Sequence, residues 1–215
     1  MIFMGSKKYP KENELDQYLS ANGGSSNAET ECEYTLFYFD IVEEHLQGAL
    51  DRFASLFVSP LMLREAMSRE IEAVESEFQN NVNLDANRIM QLVASKADGV
   101  ASTFTWGNLK TLKTDVDSDK VYERAHEFRQ KFYVGNNMYL CIQSSESLDK
   151  LQEIVVDKFS SITSGSRYLR NVESTNPFKD DFFEKVLYVK PKSDKLKLYV
   201  TFVMPSMEKH YKTKP

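Results

Sequence analysis

Sixteen residues, Leu63 to Phe78, run without a glycine or proline and carry two separate stripes at helical spacing. Met67, Ile71, Val74 and Phe78 recur at i, i+4, i+7 and i+11, the pattern of a helix face turned to a core. Ala66, Glu70, Ala73 and Glu77 recur at the same intervals on a second stripe. A helix of this kind has to bury its apolar side against other elements, so the chain is committed to a packed, layered fold. The second stripe sets two carboxylates two turns apart on one face, separated by small side chains that let another backbone approach. Pattern alone leaves it two readings. One is a solvated acidic face shared with Glu65, Glu72 and Glu75; the other is a partly buried seam that holds Glu70 and Glu77 for chemistry.

The rest of the chain supplies layers to pack against. Pro10 to Gly23 reads as a short helix with Leu15, Tyr18 and Leu19 inward, stopped by Gly23-Gly24. Ser25-Ser26-Asn27-Ala28 reads as a polar lead-in to a strand through Tyr34-Thr35-Leu36-Phe37-Tyr38-Phe39, apolar on both faces as in a covered sheet. Helices are expected at Glu43 to Ser59, Met62 to Asn80, Asp85 to Ala97, Val121 to Phe132 and Ser147 to Phe159, with a loop from Gly99 to Asn108. Met138 to Gln143 reads as a strand, and so do Lys185 to Lys190 and Leu196 to Met204. The fold class is therefore α+β: helices packed on a mostly antiparallel sheet, with strands at about 29–41 and 138–144 in the first domain. Ser160 to Asn176 is rich in Ser, Thr, Gly and Asn and reads as a linker.

Composition narrows the function classes. With 41% hydrophobic and 27% charged residues the chain has the balance of a globular protein, and no apolar run reaches the ~18 residues of a membrane helix. A net charge of −5 without a clustered basic face argues against a nucleic-acid partner. Two distant cysteines, Cys32 and Cys141, suggest neither a disulfide framework nor a cysteine metal site, so a reducing, cytoplasmic setting is expected. The eight methionines read as core filler, and Lys209, Lys212 and Lys214 as a solvated surface. Met1-Ile2-Phe3-Met4 followed by Gly5 and two lysines reads as the last turn of a buried helix with its C-cap. It has no charged region ahead of it and is not a signal peptide, which leads to the expectation that the chain begins inside an element.

Several blocks, in order, resemble one known family. Phe3-Met4-Gly5-Ser6-Lys7-Lys8-Tyr9-Pro10-Lys11-Glu12-Asn13 is similar to the segment that directly follows the inverted zinc motif H-x-x-E-H of the insulysin–nardilysin, pitrilysin-type metallopeptidases. Gly24-Ser25-Ser26-Asn27-Ala28, Ala49-Leu50-Asp51-Arg52-Phe53 and Arg69 to Glu77 match further blocks. Asp85-Ala86-Asn87-Arg88, Trp106-Gly107-Asn108 and His210-Tyr211-Lys212 with Lys214-Pro215 lean toward the nardilysin branch. The resemblance covers nearly the whole chain.

What it implies is specific. In that family two histidines of H-x-x-E-H bind zinc, its glutamate acts as general base, and a third ligand comes from a downstream E-x-x-x-x-x-x-E helix. The resemblance therefore makes Glu77 the zinc ligand and Glu70 the supporting carboxylate. Asn27 and Ala28 match the edge strand that takes substrate backbone by strand addition. It also implies a first metallopeptidase-like domain over residues 1–165, truncated at its N-terminus, a linker at 166–177, and the beginning of a second, similar domain at 178–215. The departure is equally specific: the histidines His45, His126 and His210 stand alone, and none lies in H-x-x-E-H. The expectation is a fragment of a zinc endopeptidase that does not bind zinc tightly or hydrolyse peptides by itself. Its partners would be peptide substrates and the remaining domains of the intact enzyme. The alternative is a noncatalytic binding or scaffold relative. A mitochondrial placement stays compatible, because a transit peptide would lie upstream of Met1.

Overall fold

The computed structural model describes residues 4–31, 34–103, 106–168, 177–178, 182, 184–202, 204, 207, 210 and 212–213. Its elements, in order, are α1 (Glu14–Ala21), β1 (Ser25–Thr30), β2 (Thr35–Asp40), α2 (Leu46–Val58), α3 (Arg64–Asn81), α4 (Asp85–Ala94), α5 (Ser118–Phe132) and α6 (Leu148–Phe159). A 3₁₀ turn at Glu43–His45 leads into α2, and a single π-turn at Lys110–Thr114 precedes α5.

α2 is the centre of the core because its sequence is apolar over most of its circumference. Ala49, Leu50, Phe53, Ala54, Leu56 and Phe57 are all buried. Leu15 and Leu19 of α1 join Ala49, Phe53, Leu56 and Phe57 in one cluster, and Phe37, Phe39, Met138 and Phe159 pack around it. The aromatic rings meet at angles that suit their quadrupoles: Phe39 and Phe53 lie 5.1 Å apart, as do Phe53 and Phe57, while Phe37 reaches Phe57 at 5.6 Å. α1 ends as expected at its glycines. Gly23 takes a left-handed φ of 70° and the Gly24 amide donates to the Leu19 carbonyl at 2.8 Å, the 6→1 bond of a Schellman stop.

The single strand expected at 29–41 is two strands. β1 and β2 form an antiparallel hairpin in which Asn27 faces Tyr38, Ala28 faces Phe37 and Thr30 faces Thr35. The Glu31 amide donates to the Tyr34 carbonyl at 2.8 Å across the turn. Residues 31–34 hold neither glycine nor proline, so nothing local marks the reversal. Only one face of β2 is covered: Phe37 and Phe39 point to α2, whereas Leu36 and Tyr38 are 45% and 46% exposed. Gly24, just before β1, is obligatory, since a Cβ there would stand 2.2 Å from the Asp40 carbonyl oxygen.

Residues 138–144 are not a strand. Met138 and Ile142 are half-buried while Tyr139, Leu140 and Cys141 are exposed, and the segment enters no ladder among the described residues. Glu43 ties their end beside β2, accepting from the Ser144 hydroxyl at 2.7 Å and the Ser145 amide at 2.9 Å. Between them and β2 opens a cleft of about 2000 Å³ lined by Phe37, Phe39, Tyr139, Leu140 and Ile142. A strand exists by pairing, and here the neighbouring edge is out of reach. At 185–190 and 196–204 the described residues likewise join no ladder among the described residues, and Tyr188 and Leu196 are 94% and 93% exposed. Val203, most of the expected linker (residues 169–176) and Met1 to Phe3 lie outside the described residues, although Gly5 does carry the left-handed φ, 86°, of a helix-stopping glycine.

Candidate functional site

The two ends of α3 are held in different ways. Its first half is anchored by burial, through Ala66, Met67 and Ile71. Charge contacts reinforce that half: Arg64 pairs with Asp119 and lies 4.4 Å from the centre of the Tyr122 ring on α5, and Arg69 pairs with Glu12. Beyond Ile71 no residue of the helix is fully buried. There the core stripe continues as half-buried Val74 and Phe78.

The acidic stripe follows the same division. Ala66 is buried and Glu70 half-buried, whereas Ala73 and Glu77 are exposed. The seam expected from the small residues thus forms at Glu70 and does not extend to Glu77. Seven residues place the two carboxylates about 10.5 Å apart along the helix axis, on one side of it. The Glu77 side chain has no hydrogen-bond or ion-pair partner among the described residues, and its backbone carbonyl accepts from the Asn81 carboxamide at 2.8 Å.

Three features on the neighbouring faces were not legible from pattern. The loop after residue 105 lies against α3: Trp106 meets Phe78 edge-on at 6.2 Å, and a Cβ on Gly107 would come within 3.0 Å of Val74 Cγ1. Glu75 accepts the Leu109 amide at 2.6 Å and the Gln79 carboxamide at 2.7 Å. These bonds, the amide of Leu109 first, hold the Glu75 carboxyl below its usual range. Lys113 pairs with Glu72 at 2.7 Å. Each contact joins residues 28 or more apart in the chain except Gln79 to Glu75, and only that i,i+4 pair had a local signal.

Asn27 and Ala28 sit on a different element, β1. Both are exposed, and β1 pairs on one side only, so among the described residues its other edge carries no strand. The Ala28 amide donates to the side-chain carbonyl oxygen of Asn27 at 2.8 Å.

The histidines are dispersed. His45 precedes α2 and meets the Tyr18 ring edge-on at 6.4 Å; His126 packs on Tyr122 at 4.5 Å; His210 is exposed near the C-terminus. No group of three or more His, Cys, Asp or Glu side chains among the described residues is placed to hold a metal ion. Taken by themselves, the described residues do not fit a catalytic zinc, which generally takes three protein ligands and a water. No helix is long and apolar enough to cross a membrane among the described residues.

Residues 1–99 match the family described as Insulinase (Peptidase family M16), and residues 120–215 match the Peptidase M16 inactive domain. Human nardilysin is 40% identical over the whole chain, and human insulin-degrading enzyme is 41% identical. The chain spans 19% and 21% of their lengths, about a fifth of each. Among solved structures, the crystal structure of pitrilysin superposes with a TM-score of 0.73 at 33% identity, covering 84% of this chain and 19% of that one.

Proposed function

This chain belongs to the M16, or insulinase, family of peptidases, and on that premise we propose that it is the part of a zinc endopeptidase that presents Glu77 as a metal ligand. The observation that carries the reading is the acidic stripe of α3: Glu77 stands exposed on the same side as half-buried Glu70. An exposed carboxylate is available as an oxygen ligand to zinc, and a half-buried one two turns away is suited to supporting it rather than sharing the ion. In this reading Glu77 is the ligand and Glu70 the supporting carboxylate. The open edge of β1 at Asn27 and Ala28 receives the main chain of a peptide substrate.

The histidine ligands and general base of the family motif are not among these 215 residues. No step of peptide hydrolysis therefore runs on this chain's residues alone, and zinc is expected to bind it weakly. Residues 1–165 form a first metallopeptidase-like domain, 166–177 a linker and 178–215 the beginning of a second domain, with the remaining domains of a longer enzyme as partners. A cytoplasmic setting agrees with the exposed free thiol of Cys141. The same lack of H-x-x-E-H favours a second reading, a noncatalytic binding or scaffold relative that retains the peptide edge without the metal.

Zinc stoichiometry after dialysis separates these readings. The 215-residue chain should retain far less than one zinc, and a product extended upstream through an in-frame H-x-x-E-H should retain one. Glu77→Gln should then weaken zinc binding about 10- to 100-fold or more in that product, the range reached when even a supporting residue of a metal site is removed. Stoichiometric zinc on the 215-residue chain, or undiminished affinity in the Glu77→Gln product, would overturn the assignment of Glu77. An upstream stop codon with protein detected at this size would favour the noncatalytic reading.

A further inference from the structure

We infer that the loop Trp106–Leu109 is a strap that fixes the direction of the second half of α3, and with it the position of Glu77. The inference takes its functional meaning from Glu77 being the metal-facing carboxylate, but its structural content stands apart from that reading.

The last fully buried residue of α3 is Ile71, yet the helix continues for ten residues to Asn81. A helix end whose inward side chains are only half-buried frays and swings more readily than one set in the core, because isolated helical turns are marginal in water. Lateral contacts add to that partial burial here. Glu75 receives the Leu109 amide, Val74 lies under Gly107, Phe78 takes the edge of Trp106, and Lys113 reaches Glu72 one turn earlier. Glu77 is bracketed by two of these gripped residues, with Glu75 two positions before it and Phe78 directly after. A carboxylate whose neighbours are fixed leaves the helix in one direction, which is what a preorganised ligand requires.

Glycine at 107 serves closeness rather than conformation. A methyl group there would stand 2.9 Å from Leu112 Cδ1 and 3.0 Å from Val74 Cγ1, so those side chains or the strap would have to shift. The Glu75 bond is the directional element, since a charged acceptor makes a strong bond to a backbone donor. Trp106 and Glu75 are thus positioning residues that act through α3.

Trp106 is the one tryptophan of the chain, so its emission reads the strap directly. In the 215-residue chain, acrylamide should quench Trp106 less than free tryptophan. Glu75→Ala and Gly107→Ala should raise that quenching, and Glu75→Gln should restore most of the protection. Native-state amide exchange supplies a second readout. Trp106→Ala should speed exchange at Phe78 to Val82 by roughly 3- to 10-fold, the population change that corresponds to losing one aromatic pair. Exchange in α2 should stay unchanged, and Trp106→Phe should recover the protection. Trp106 quenched like the free amino acid, no local change in exchange, or an equal change throughout α2 would each overturn the strap. In a zinc-loaded longer product, Glu77→Gln without loss of zinc would instead sink the ligand reading, whatever the exchange data show.

Discussion

Asp85, the first residue of α4, accepts the backbone amide of Lys192 at 2.8 Å, joining positions 107 residues apart. The same carboxylate accepts from the Ser193 amide at 3.0 Å and its hydroxyl at 2.7 Å, while Arg88 bonds both Asp85 and the Lys190 carbonyl. An exposed turn is thereby clamped to a helix N-terminus, where negative charge is already favoured.

The clamp should depend on pH in one direction. Hydrogen bonds to the charged form, the Lys192 amide first, hold the Asp85 carboxyl far below its usual range. A lowered folded-state pKa means the tie is complete above the usual carboxylate value of about 4 and fades only as pH falls through the lower folded value. The Lys192 and Ser193 amide resonances should therefore keep their shifts while ordinary carboxylates titrate. Asp85→Ala should abolish the shifts at neutral pH. Amides that move near pH 4, in step with solvent-exposed acids, would contradict the clamp.

A second prediction concerns the contact of α1 with α2. Gly48 lies where a Cβ would be 2.1 Å from the Tyr18 hydroxyl oxygen. The end of a tyrosine can usually swing aside, but this ring is clamped by the Arg52 guanidinium 3.9 Å from its centre. Alanine normally stabilises a helix interior over glycine by about 0.5–1 kcal/mol, and overpacking costs about 1–3 kcal/mol. Overpacking should win, so Gly48→Ala should lower stability by about 1 kcal/mol in urea titration. The double variant with Tyr18→Leu should recover it. A stabilised Gly48→Ala would show that the interface gives way freely.

A third prediction tests the centre of the core. Phe53 is 6% exposed and contacts both Phe39 and Phe57. Phe53→Ala should cost about 3–5 kcal/mol and loosen the hairpin as well as α2. Exposed Tyr38, on the opposite face of β2, should tolerate alanine within about 1 kcal/mol. Equal costs at the two positions in denaturant titrations would mean that β2 is covered on both faces.

The contrast between these positions shows what could be read from the chain beforehand. Helices with a sustained apolar stripe were legible: the segments expected at Met62 to Asn80 and Ser147 to Phe159 appear as Arg64–Asn81 and Leu148–Phe159. β1 was not, because Ser25 to Thr30 buries almost nothing and is a strand only through its pairing with β2. For the same reason 138–144, expected as a strand, joins no ladder among the described residues. At the site, the stripe carrying Glu70 and Glu77 followed from spacing. The bond from Leu109 to Glu75 did not, since it joins residues 34 apart that no periodicity relates.

The last prediction follows from the segments at 185–190 and 196–204, which join no ladder among the described residues. Val186, Tyr188, Leu196, Leu198, Val200 and Phe202 are 67–94% exposed. β-prone sequence with bare apolar side chains and unpaired main-chain groups is a template for association. The cleft beside β2 adds a further apolar surface. The isolated chain should therefore be marginally stable, melt over a broad range and self-associate as its concentration rises in sedimentation velocity. Tyr188→Lys with Leu198→Lys should reduce association without altering the α2 core, because neither side chain contributes to it. A purified wild-type monomer that stays monodisperse at high concentration and melts sharply would show that these segments find partners within the chain.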